Sequence, residues 1–312
     1  MNQESYKIIF FGTPEFASSV LRKLSGTEFK PLAVVTAPDK PVGRKRILTP
    51  PPVKILAQGL HIPILQTNSL RKPEMTQKII FLSPDLFVIA AYGLVLPPEI
   101  LKIPKFGSLN IHPSLLPKYR GASPIQAAIL ADDKKTGVTI MLMDEEIDHG
   151  PILARGKIRI DKETAPVLSQ KLAQSGADLL IKILPKWFKG KIKPQPQKHK
   201  KASFTRQIRK ENGKINWSKP ARHIERMSMA YQPWPGIYTF FNGKVLKILE
   251  VEVLKIKHKH TPGKVFLTRN KELSVACGKN ALILKQVQLE SKNPLLGKSF
   301  LNGHSQIIGA VL

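Results

Sequence analysis

Continuous apolar runs in the first 190 residues alternate with segments of helical periodicity. The runs at residues 6–11, 31–36 and 86–91 lack the apolar–polar alternation of a half-exposed strand, which is typical of parallel strands buried on both faces. This order predicts an α/β, Rossmann-like domain with a mostly parallel sheet. Further strands are predicted over 108–111, 138–143 and 152–160, and helices over 53–58, 70–81, 122–131 and 164–188.

The first strand leads into a turn that argues against two large classes of α/β enzyme. Residues 12–16 read G-T-P-E-F, in which Thr13 is expected to cap a helix and Pro14 to occupy its first position. The turn lacks the G-x-G-x-x-G sequence that holds a dinucleotide pyrophosphate, and the chain has no P-loop motif. Nucleotide-dependent oxidoreductases and kinases are therefore disfavoured.

The pattern changes after residue 190. Residues 190–203 are polar, basic and interrupted by proline, which is typical of a linker. A helix is predicted over 218–230, and the short strands that follow predict a small β-barrel of the oligonucleotide-binding type. We therefore divide the chain into an α/β domain at 1–189, a basic linker at 190–208 and a barrel-type domain at 209–312.

Positive charge is concentrated toward the C-terminus. The chain carries 50 Lys and Arg against 22 Asp and Glu, a net charge of +28. Residues 191–312 contain 24 of the basic residues and only 6 acidic ones, all of them glutamate. A field of this size attracts polyanions such as nucleic acid and makes their binding salt-dependent. Solvated lysines spread over the whole surface are the alternative, but they do not account for the skew.

Other bulk features restrict the setting of the protein. No run reaches the ~18 uninterrupted apolar residues of a membrane span. The first residues do not follow the pattern of a signal peptide. Cys277 is the only cysteine, which excludes an internal disulfide and a cysteine-based metal site. We therefore expect a cytoplasmic protein.

Asn110 and His112 stand at the end of a predicted parallel strand, where ligands bind in open α/β sheets. Residues two apart on a strand face the same side, so both side chains are able to reach one substrate atom. Two hydrogen-bond donors that converge on a carbonyl oxygen form an oxyanion site. An isolated Asn-x-His pair is more often structural, and that alternative stays open at this point.

A second polar cluster belongs to the same edge of the sheet. Residues 143–151 read M-D-E-E-I-D-H-G-P and form a predicted turn with four carboxylates and a histidine. A carboxylate from this turn would orient His112 or accept a proton from a nucleophile. A solvated hairpin loop is the alternative. A metal site is set aside because the carboxylates lie close together without a second cluster.

Three long stretches contain these clusters. They read A-A-Y-G-L-V-L-P at 90–97, N-I-H-P-S-L-L-P-K-Y-R-G-A-S-P-I-Q at 110–126 and G-V-T-I-M-L-M-D-E-E-I-D-H-G-P-I-L at 137–153. Together they closely resemble the 10-formyltetrahydrofolate-dependent formyltransferases. The resemblance implies a catalytic α/β domain that uses 10-formyltetrahydrofolate as co-substrate and needs no metal or redox cofactor.

The resemblance also assigns roles to individual residues. The catalytic residues of the family fall on Asn110, His112 and Asp148. The folate-contacting loop of the family falls on Ser114, Leu115, Leu116 and Pro117. One departure is visible, because the turn of the family commonly reads D-x-G-L-D-x-G and this chain has Glu146 and Ile147 in place of Gly-Leu. The extra carboxylate is expected to repel the charge on Asp148.

Further stretches resemble the members of the family that formylate methionyl-initiator tRNA. They are F-F-G-T-P-E-F-A at 10–17, P-D-K-P-V-G-R-K-R at 38–46, T-P-P-P-V-K at 49–54, I-N-W-S at 215–218, Q-P-W-P-G at 232–236 and F-L-N-G at 300–303. This resemblance implies transfer of the formyl group to the free α-amine of methionine on its tRNA. The partners expected are initiator tRNA and folate, and the protein is expected to be a monomer.

The tRNA interpretation accounts for the charge. In the family the loop at 38–52 carries the element that recognises tRNA, which implies that its basic residues contact the RNA. The basic residues after residue 190 are expected to add further contacts to the RNA backbone. Trp217 and Trp234, like Met227 and Met229, are expected in the core of the second domain. The predicted tRNA-binding residues are Lys40, Arg44, Lys45, Arg46, Lys191, Lys193, Lys198, Lys200, Lys201, Arg206 and Arg209.

Three alternatives remain at this stage. A glycinamide-ribonucleotide formyltransferase or a sugar-nucleotide formyltransferase would use the same three catalytic residues on another amine. Neither requires a basic loop together with a basic barrel-type domain. A non-catalytic RNA-binding protein on the same scaffold would not need Asn110, His112 and Asp148, all of which are present.

Overall fold

The computed structural model describes residues 6–43 and 45–312, so Arg44 lies outside the described residues. The described chain forms two compact units. Within these residues, no helix is both long and apolar enough to cross a membrane. The first unit comprises the chain up to Pro124, Lys135–Arg159 and Ser169–Thr205, and the second comprises Ile125–Lys134, Ile160–Leu168 and Arg206–Leu312.

The first unit is built on a seven-stranded sheet in the order β10-β9-β7-β6-β1-β2-β5. Its five strands from β7 to β5 are parallel, while β9 and β10 add antiparallel strands at one edge. The strands of this unit are β1 (Ile8–Gly12), β2 (Ala33–Thr36), β3 (Lys40–Val42), β4 (Ile47–Thr49), β5 (Ile64–Gln66), β6 (Leu86–Ala90), β7 (Ser108–His112), β8 (Arg120–Gly121), β9 (Lys135–Leu142), β10 (Ile152–Arg159) and β11 (Phe204–Thr205).

Continuous apolar runs form the centre of this sheet, as predicted. Every residue of β1, β2 and β6 is buried, because helices cover both faces of the parallel strands. Apolar side chains from these strands form one core with residues of the helices that follow them. The helices up to residue 188 are α1 (Glu15–Ser25), α2 (Pro52–Gly59), α3 (Pro73–Phe81), α4 (Pro98–Leu101), α5 (Pro124–Leu130) and α6 (Ala165–Phe188).

The start of α1 differs from the prediction. Pro14 is the N-cap residue and Thr13 makes no cap. Instead, the Thr13 hydroxyl donates to the backbone oxygen of Tyr92 and accepts from the backbone nitrogen of Ala37. Thr13 therefore joins the ends of three neighbouring strands. Because Pro14 takes the cap position, the Thr13 side chain is free to make these two hydrogen bonds.

The loop predicted after β2 contains a small hairpin. Strands β3 and β4 pair antiparallel and all six of their residues are exposed. The base of the hairpin is fixed by Asp39, whose carboxylate accepts from Lys54 at 2.8 Å and from the Gln66 amide at 2.8 Å. These hydrogen bonds, led by that of the Lys54 ammonium, hold the pKa of Asp39 below its ordinary value.

The polar segment after residue 190 is packed onto the first unit over its second half. The backbone of Gln195 exchanges two hydrogen bonds with that of Ile152. Strand β11 then pairs parallel with β8, joining Phe204 to Arg120 and Thr205 to Gly121. A segment whose composition is typical of a linker is thus part of the structure around β8.

The second unit contains an antiparallel half-barrel. Its sheet follows the order β12-β13-β16-β15-β14, and β17 pairs with β16. One face is covered by α7, which contacts β13 and β16. The elements are α7 (Ala221–Ala230), β12 (Ile237–Phe241), β13 (Lys244–Leu254), β14 (Val265–Leu267), β15 (Leu273–Ala276), β16 (Ala281–Leu289), β17 (Leu295–Leu296) and α8 (Gly297–Gly303).

The core of the second unit differs from the prediction at one aromatic residue, Trp234. Trp217 is buried and donates from its indole nitrogen to the Thr239 hydroxyl, and Met227 is buried as predicted. Trp234 is 58% exposed, so its expected core position is wrong. It lies in the turn between α7 and β12, where the prolines on either side keep it out of regular structure. Cys277 is buried, which raises the pKa of its thiol to about 12.

Candidate active site

Strand β7 carries Asn110 and His112 at its carboxyl end, between β6 and β9 in the sheet. Ile111, which lies between them and points to the opposite face of the sheet, is buried. Asn110 is half-buried and His112 is 4% exposed. The two-residue spacing thus places an amide and an imidazole side by side at a sheet edge.

Asp148 reaches the same point from the turn between β9 and β10. Its Oδ1 lies 3.4 Å from Asn110 Nδ2 and 3.4 Å from His112 Nδ1, so the two side chains converge on a single oxygen. Its Oδ2 accepts a hydrogen bond of 2.7 Å from the backbone nitrogen of Gly121 on β8. One carboxylate oxygen of Asp148 is therefore held by the backbone of β8, and the other faces Asn110 and His112.

The hydrogen bond made by His112 Nε2 determines whether Nδ1 is able to donate. His112 Nε2 lies 3.0 Å from the backbone oxygen of Tyr119, and that oxygen is only an acceptor, so Nε2 carries a proton. Nδ1 then donates only when the ring holds two protons. An imidazolium satisfies both Tyr119 and Asp148, and Asp148 is placed to stabilise its charge.

The remaining polar residues of the turn interact mainly with one another. His149 Nδ1 lies 2.7 Å from Asp144 Oδ2, and His149 Nε2 lies 3.7 Å from Glu146 Oε1. The side chain of Glu146 is largely exposed. Its carboxylate thus lies beside a histidine and in water, an arrangement in which the expected repulsion of Asp148 is weakened by screening.

A cavity of about 590 Å³ opens beside Asn110, His112 and Asp148. Its lining is mostly apolar, with a few polar groups at one side, as in small-molecule sites. The loop after β6 supplies much of the wall; its motif A-A-Y-G-L-V-L-P marks the family, but no role in the site was predicted for these residues. The lining comprises Ile89 and residues 91–96 after β6, 110–113 at the end of β7, 121, 122 and 124, 143–148 in the turn, and Thr205.

Two exposed apolar side chains, Val95 and Ile147, belong to this lining. Tyr92 also lines the cavity, and among the described residues its buried hydroxyl has no hydrogen-bond partner. Burial raises the pKa of Tyr92, so the phenol stays neutral and able to donate. The structure thus adds two exposed apolar side chains, Val95 and Ile147, to the wall of the site.

The predicted folate loop, Ser114–Pro117, lies outside the lining of this cavity. Ser114 is 0% exposed and Leu116 is 1% exposed. The Ser114 hydroxyl donates to the backbone of Lys118, and Leu116 packs against Met141 and Ile152. Both side chains therefore point into the interior, and contact between folate and this loop stays a prediction. Leu115 and Pro117 are half-buried.

The predicted tRNA-binding residues are distributed over both units, and all of those in the described chain are exposed. Lys40 lies on β3, and Lys45 and Arg46 lie in the turn of the hairpin. Arg44, which stands between Gly43 and Lys45, is outside the described residues. The first unit also carries Lys191, Lys193, Lys198, Lys200 and Lys201, and the second unit carries Arg206 and Arg209.

Replacement of Gly121 by alanine is expected to disturb this site. Gly121 has φ +97°, and a Cβ there would overlap the backbone oxygen of Thr205. We expect a loss of about 1–3 kcal/mol in the free energy of unfolding, with a loss of activity because Asp148 Oδ2 loses a fixed donor. Denaturant titration measures the first effect. Gly59→Ala is the control, since a Cβ at Gly59 meets nothing within 4 Å; an equal effect of both changes would contradict the account.

Both family models that match this chain are formyltransferase models. One, described as formyl transferase, matches residues 6–184, and the other, described as formyl transferase, C-terminal domain, matches residues 207–305. The methionyl-tRNA formyltransferase of Chloroflexus aurantiacus is 44% identical to this chain, covering 95% of it and 96% of that protein. Proteins of the same name from Caldanaerobacter subterraneus and Staphylococcus aureus are 42% and 40% identical, covering 98% and 95% of this chain and 99% and 96% of those proteins.

Solved structures with the same fold are more distant in sequence. HypX from Aquifex aeolicus, solved in complex with tetrahydrofolic acid, has a TM-score of 0.64 and 17% identity, covering 98% of this chain and 48% of that chain. The sugar N-formyltransferase WlaRD, solved with dTDP and 5-N-formyl-THF, has a TM-score of 0.64 and 20% identity, covering 93% and 100%. An N-formyltransferase from Helicobacter canadensis, in complex with folinic acid and dTDP-3-aminofucose, has a TM-score of 0.65 and 21% identity, covering 89% and 99%.

Proposed function

This chain belongs to the methionyl-tRNA formyltransferase family, and we propose that it transfers the formyl group of 10-formyltetrahydrofolate to the free α-amine of methionyl-initiator tRNA. The observation that carries the proposal is that Asn110 Nδ2 and His112 Nδ1 both lie 3.4 Å from Asp148 Oδ1, so the three side chains meet beside a cavity of about 590 Å³. A cytoplasmic setting, expected from the sequence, is part of the same proposal.

The formyl donor is proposed from two lines of support. Structural neighbours of this chain have been solved with tetrahydrofolic acid, 5-N-formyl-THF and folinic acid. A folate carries flat rings with polar edges, which suits a cavity that has apolar walls at Val95 and Ile147 and polar groups in the turn 143–148. Under this proposal the folate lies against the loop after β6, and contact with Ser114–Pro117, which follow the cavity-lining Pro113 in the chain, stays a prediction.

The chemistry follows from the groups at the end of β7. The amine nitrogen attacks the formyl carbon that is bonded to N10 of the folate, and the carbonyl electrons move to the oxygen. Asn110 Nδ2 and His112 Nδ1 would hydrogen-bond that oxygen as its charge develops, and one such donor typically contributes about 3–4 kcal/mol to lowering the barrier. The distance of 3.4 Å to the present acceptor is long for a hydrogen bond, as is common before substrates bind.

Asp148 would take the proton that the amine must lose. Its Oδ1 already faces the two donors, and its Oδ2 is held by Gly121. The same carboxylate would stabilise the imidazolium of His112. The electrons on the oxygen then re-form the carbonyl and the bond between the formyl carbon and N10 breaks. N10 takes the proton that Asp148 accepted, and tetrahydrofolate and formylmethionyl-tRNA leave.

A transfer assay tests this proposal against its nearest alternatives. The purified chain is supplied with 10-formyltetrahydrofolate and with charged initiator tRNA, glycinamide ribonucleotide, a dTDP-amino sugar or free methionine. We expect rapid formylation of the charged tRNA and of no other acceptor. Faster formylation of the ribonucleotide or the sugar would assign the chain another amine, and no transfer to any acceptor would contradict the catalytic role.

The hairpin β3–β4 is proposed to contact the tRNA through its basic turn. Reversing the charge at Lys45 and Arg46 by substitution to glutamate is expected to weaken tRNA binding. It should also lower the magnitude of the slope of log K against log salt by about 0.7–0.9 for each phosphate that the turn no longer neutralises. Binding titrations over a range of salt concentrations measure both quantities.

The matched control reverses the charge at two exposed lysines elsewhere in the first unit, Lys102 and Lys105. These changes alter the net charge by the same amount and should affect the slope much less. Equal slopes for the wild type and the hairpin variant would rule out the hairpin as a phosphate-binding element. The other predicted basic residues, from Lys191 to Arg209, are open to the same paired test.

A further inference from the structure

Gln197 is a polar residue of the polar segment after residue 190, yet it is 4% exposed. Its Nε2 donates two hydrogen bonds of 2.8 Å, one to the backbone oxygen of Asp148 and one to that of Gly150. Both protons of the amide are thus used on the turn that carries Asp148. A buried glutamine with all its donors directed at one turn acts as a brace for that turn.

Arg120 fixes which way the Gln197 amide faces. Its guanidinium donates to Gln197 Oε1 from Nε at 3.2 Å and from Nη2 at 2.8 Å. A guanidinium only donates, so the amide oxygen must face Arg120 and the amide nitrogen must face the turn. Arg120 is itself buried, and it precedes Gly121, whose backbone nitrogen holds Asp148 Oδ2. The backbone and the carboxylate of Asp148 are therefore fixed from adjacent positions.

The turn needs such a brace because of its backbone conformation. Asp148 has φ +50°, a left-handed conformation that is uncommon for a non-glycine residue, although aspartate tolerates it better than most. Gly150 leaves no room for a side chain, since a Cβ there would overlap the backbone oxygen of Leu142. The carbonyls of these two residues need donors, and Gln197 supplies one to each.

We propose that Gln197 is a positioning residue for Asp148, and this inference rests on the catalytic role given to Asp148 in the proposed function. Gln197 holds the backbone on both sides of His149, so that the carboxylate of Asp148 stays directed at Asn110 and His112. It acts through Asp148 and does not line the cavity. Its removal therefore affects the step at the formyl carbon more than it affects substrate binding.

The substitution Gln197→Glu isolates this role. Glutamate has nearly the same shape and keeps an acceptor for Arg120, but it places an oxygen where Nε2 donates to Asp148 and Gly150. We expect kcat to fall at least ~10-fold because a misplaced catalytic group loses rate even when it moves by about 1 Å. The KM values for both substrates should change less than about twofold. Gln170→Glu, an exposed glutamine on α6 of the first unit, is the matched control and should match the wild type.

A double variant shows whether Gln197 acts through Asp148. In a chain that already carries Asp148→Asn, adding Gln197→Glu should lower kcat little further, because the group being positioned has lost its function. A further fall as large as that in the wild-type background would overturn the proposal. So would a Gln197→Glu variant that is folded and retains the wild-type kcat, or one in which only KM rises.

A measurement without substrates separates this inference from the proposed function. The ¹⁵N chemical shifts of the His112 ring report the hydrogen bonds of its two nitrogens. These shifts should differ between the wild type and Gln197→Glu and be unchanged in Gln170→Glu. Unchanged shifts in Gln197→Glu would overturn the positioning role, whether or not the wild type transfers formyl groups. A wild type that transfers none would contradict the proposed function alone.

Discussion

Replacement of Asp148 by asparagine is expected to lower kcat for formyl transfer by about 10²–10⁴-fold, the range that general acid–base groups contribute. Asparagine keeps an acceptor for the backbone nitrogen of Gly121. It cannot take a proton from the amine, and it removes the negative charge that faces His112. Single-turnover transfer to charged initiator tRNA, with both substrates saturating, measures the effect.

Glu146→Gln is the control for this change. It removes a carboxylate from the same turn, but that carboxylate is largely exposed and lies beside His149. We expect less than a twofold effect on kcat. Equal losses of kcat in the two variants would indicate that the total charge of the turn matters. That result would contradict a specific role for Asp148.

Replacement of Asn110 by alanine is expected to lower kcat by about 10²–10³-fold while tRNA binding stays nearly unchanged. The amide is one of the two side-chain donors proposed to hydrogen-bond the developing oxyanion, and removing one donor of this kind has effects of that size. Because Asn110 lines the cavity and is not one of the exposed basic residues, the basic surface is not altered. Transfer rates and tRNA affinity are measured on the same preparation.

Asn68→Ala, at an exposed asparagine of the first unit, serves as the control and should leave both quantities unchanged. A wild-type rate in Asn110→Ala would remove Asn110 from the mechanism. A loss of tRNA affinity as large as the loss of rate would mean that the substitution disturbs the fold or the docking surface rather than the chemical step.

Much of the fold could be predicted from local patterns. The unbroken apolar runs that became β1, β2 and β6 have one physical explanation, which is burial on both faces of a parallel sheet. The β3–β4 hairpin could not be predicted in the same way, because its strands have three residues each and are entirely exposed, so no burial pattern marks them. Trp234 shows the reverse error, in which an apolar side chain is exposed in a turn.

Part of the site could likewise be predicted from local patterns, and part could not. The convergence of Asn110 and His112 follows from strand geometry, which spacing alone predicts. The interior position of Ser114 and Leu116 depends on how the chain turns after β7, and a motif does not specify that turn. The position of Gln197 could not be predicted, because a proline-rich polar segment has the same composition whether it is solvated or, as here, hydrogen-bonded to the turn that carries Asp148.

The central claim is that Asn110 and His112 act on the same oxygen, and a double-mutant cycle tests it most directly. Single-turnover formyl transfer to methionyl-initiator tRNA is measured for Asn110→Ala, His112→Ala and the double variant. Two donors to one oxyanion form a single unit, so the double variant should lose much less than the product of the two single losses. Losses that multiply, or a wild-type rate in either single variant, would contradict the claim.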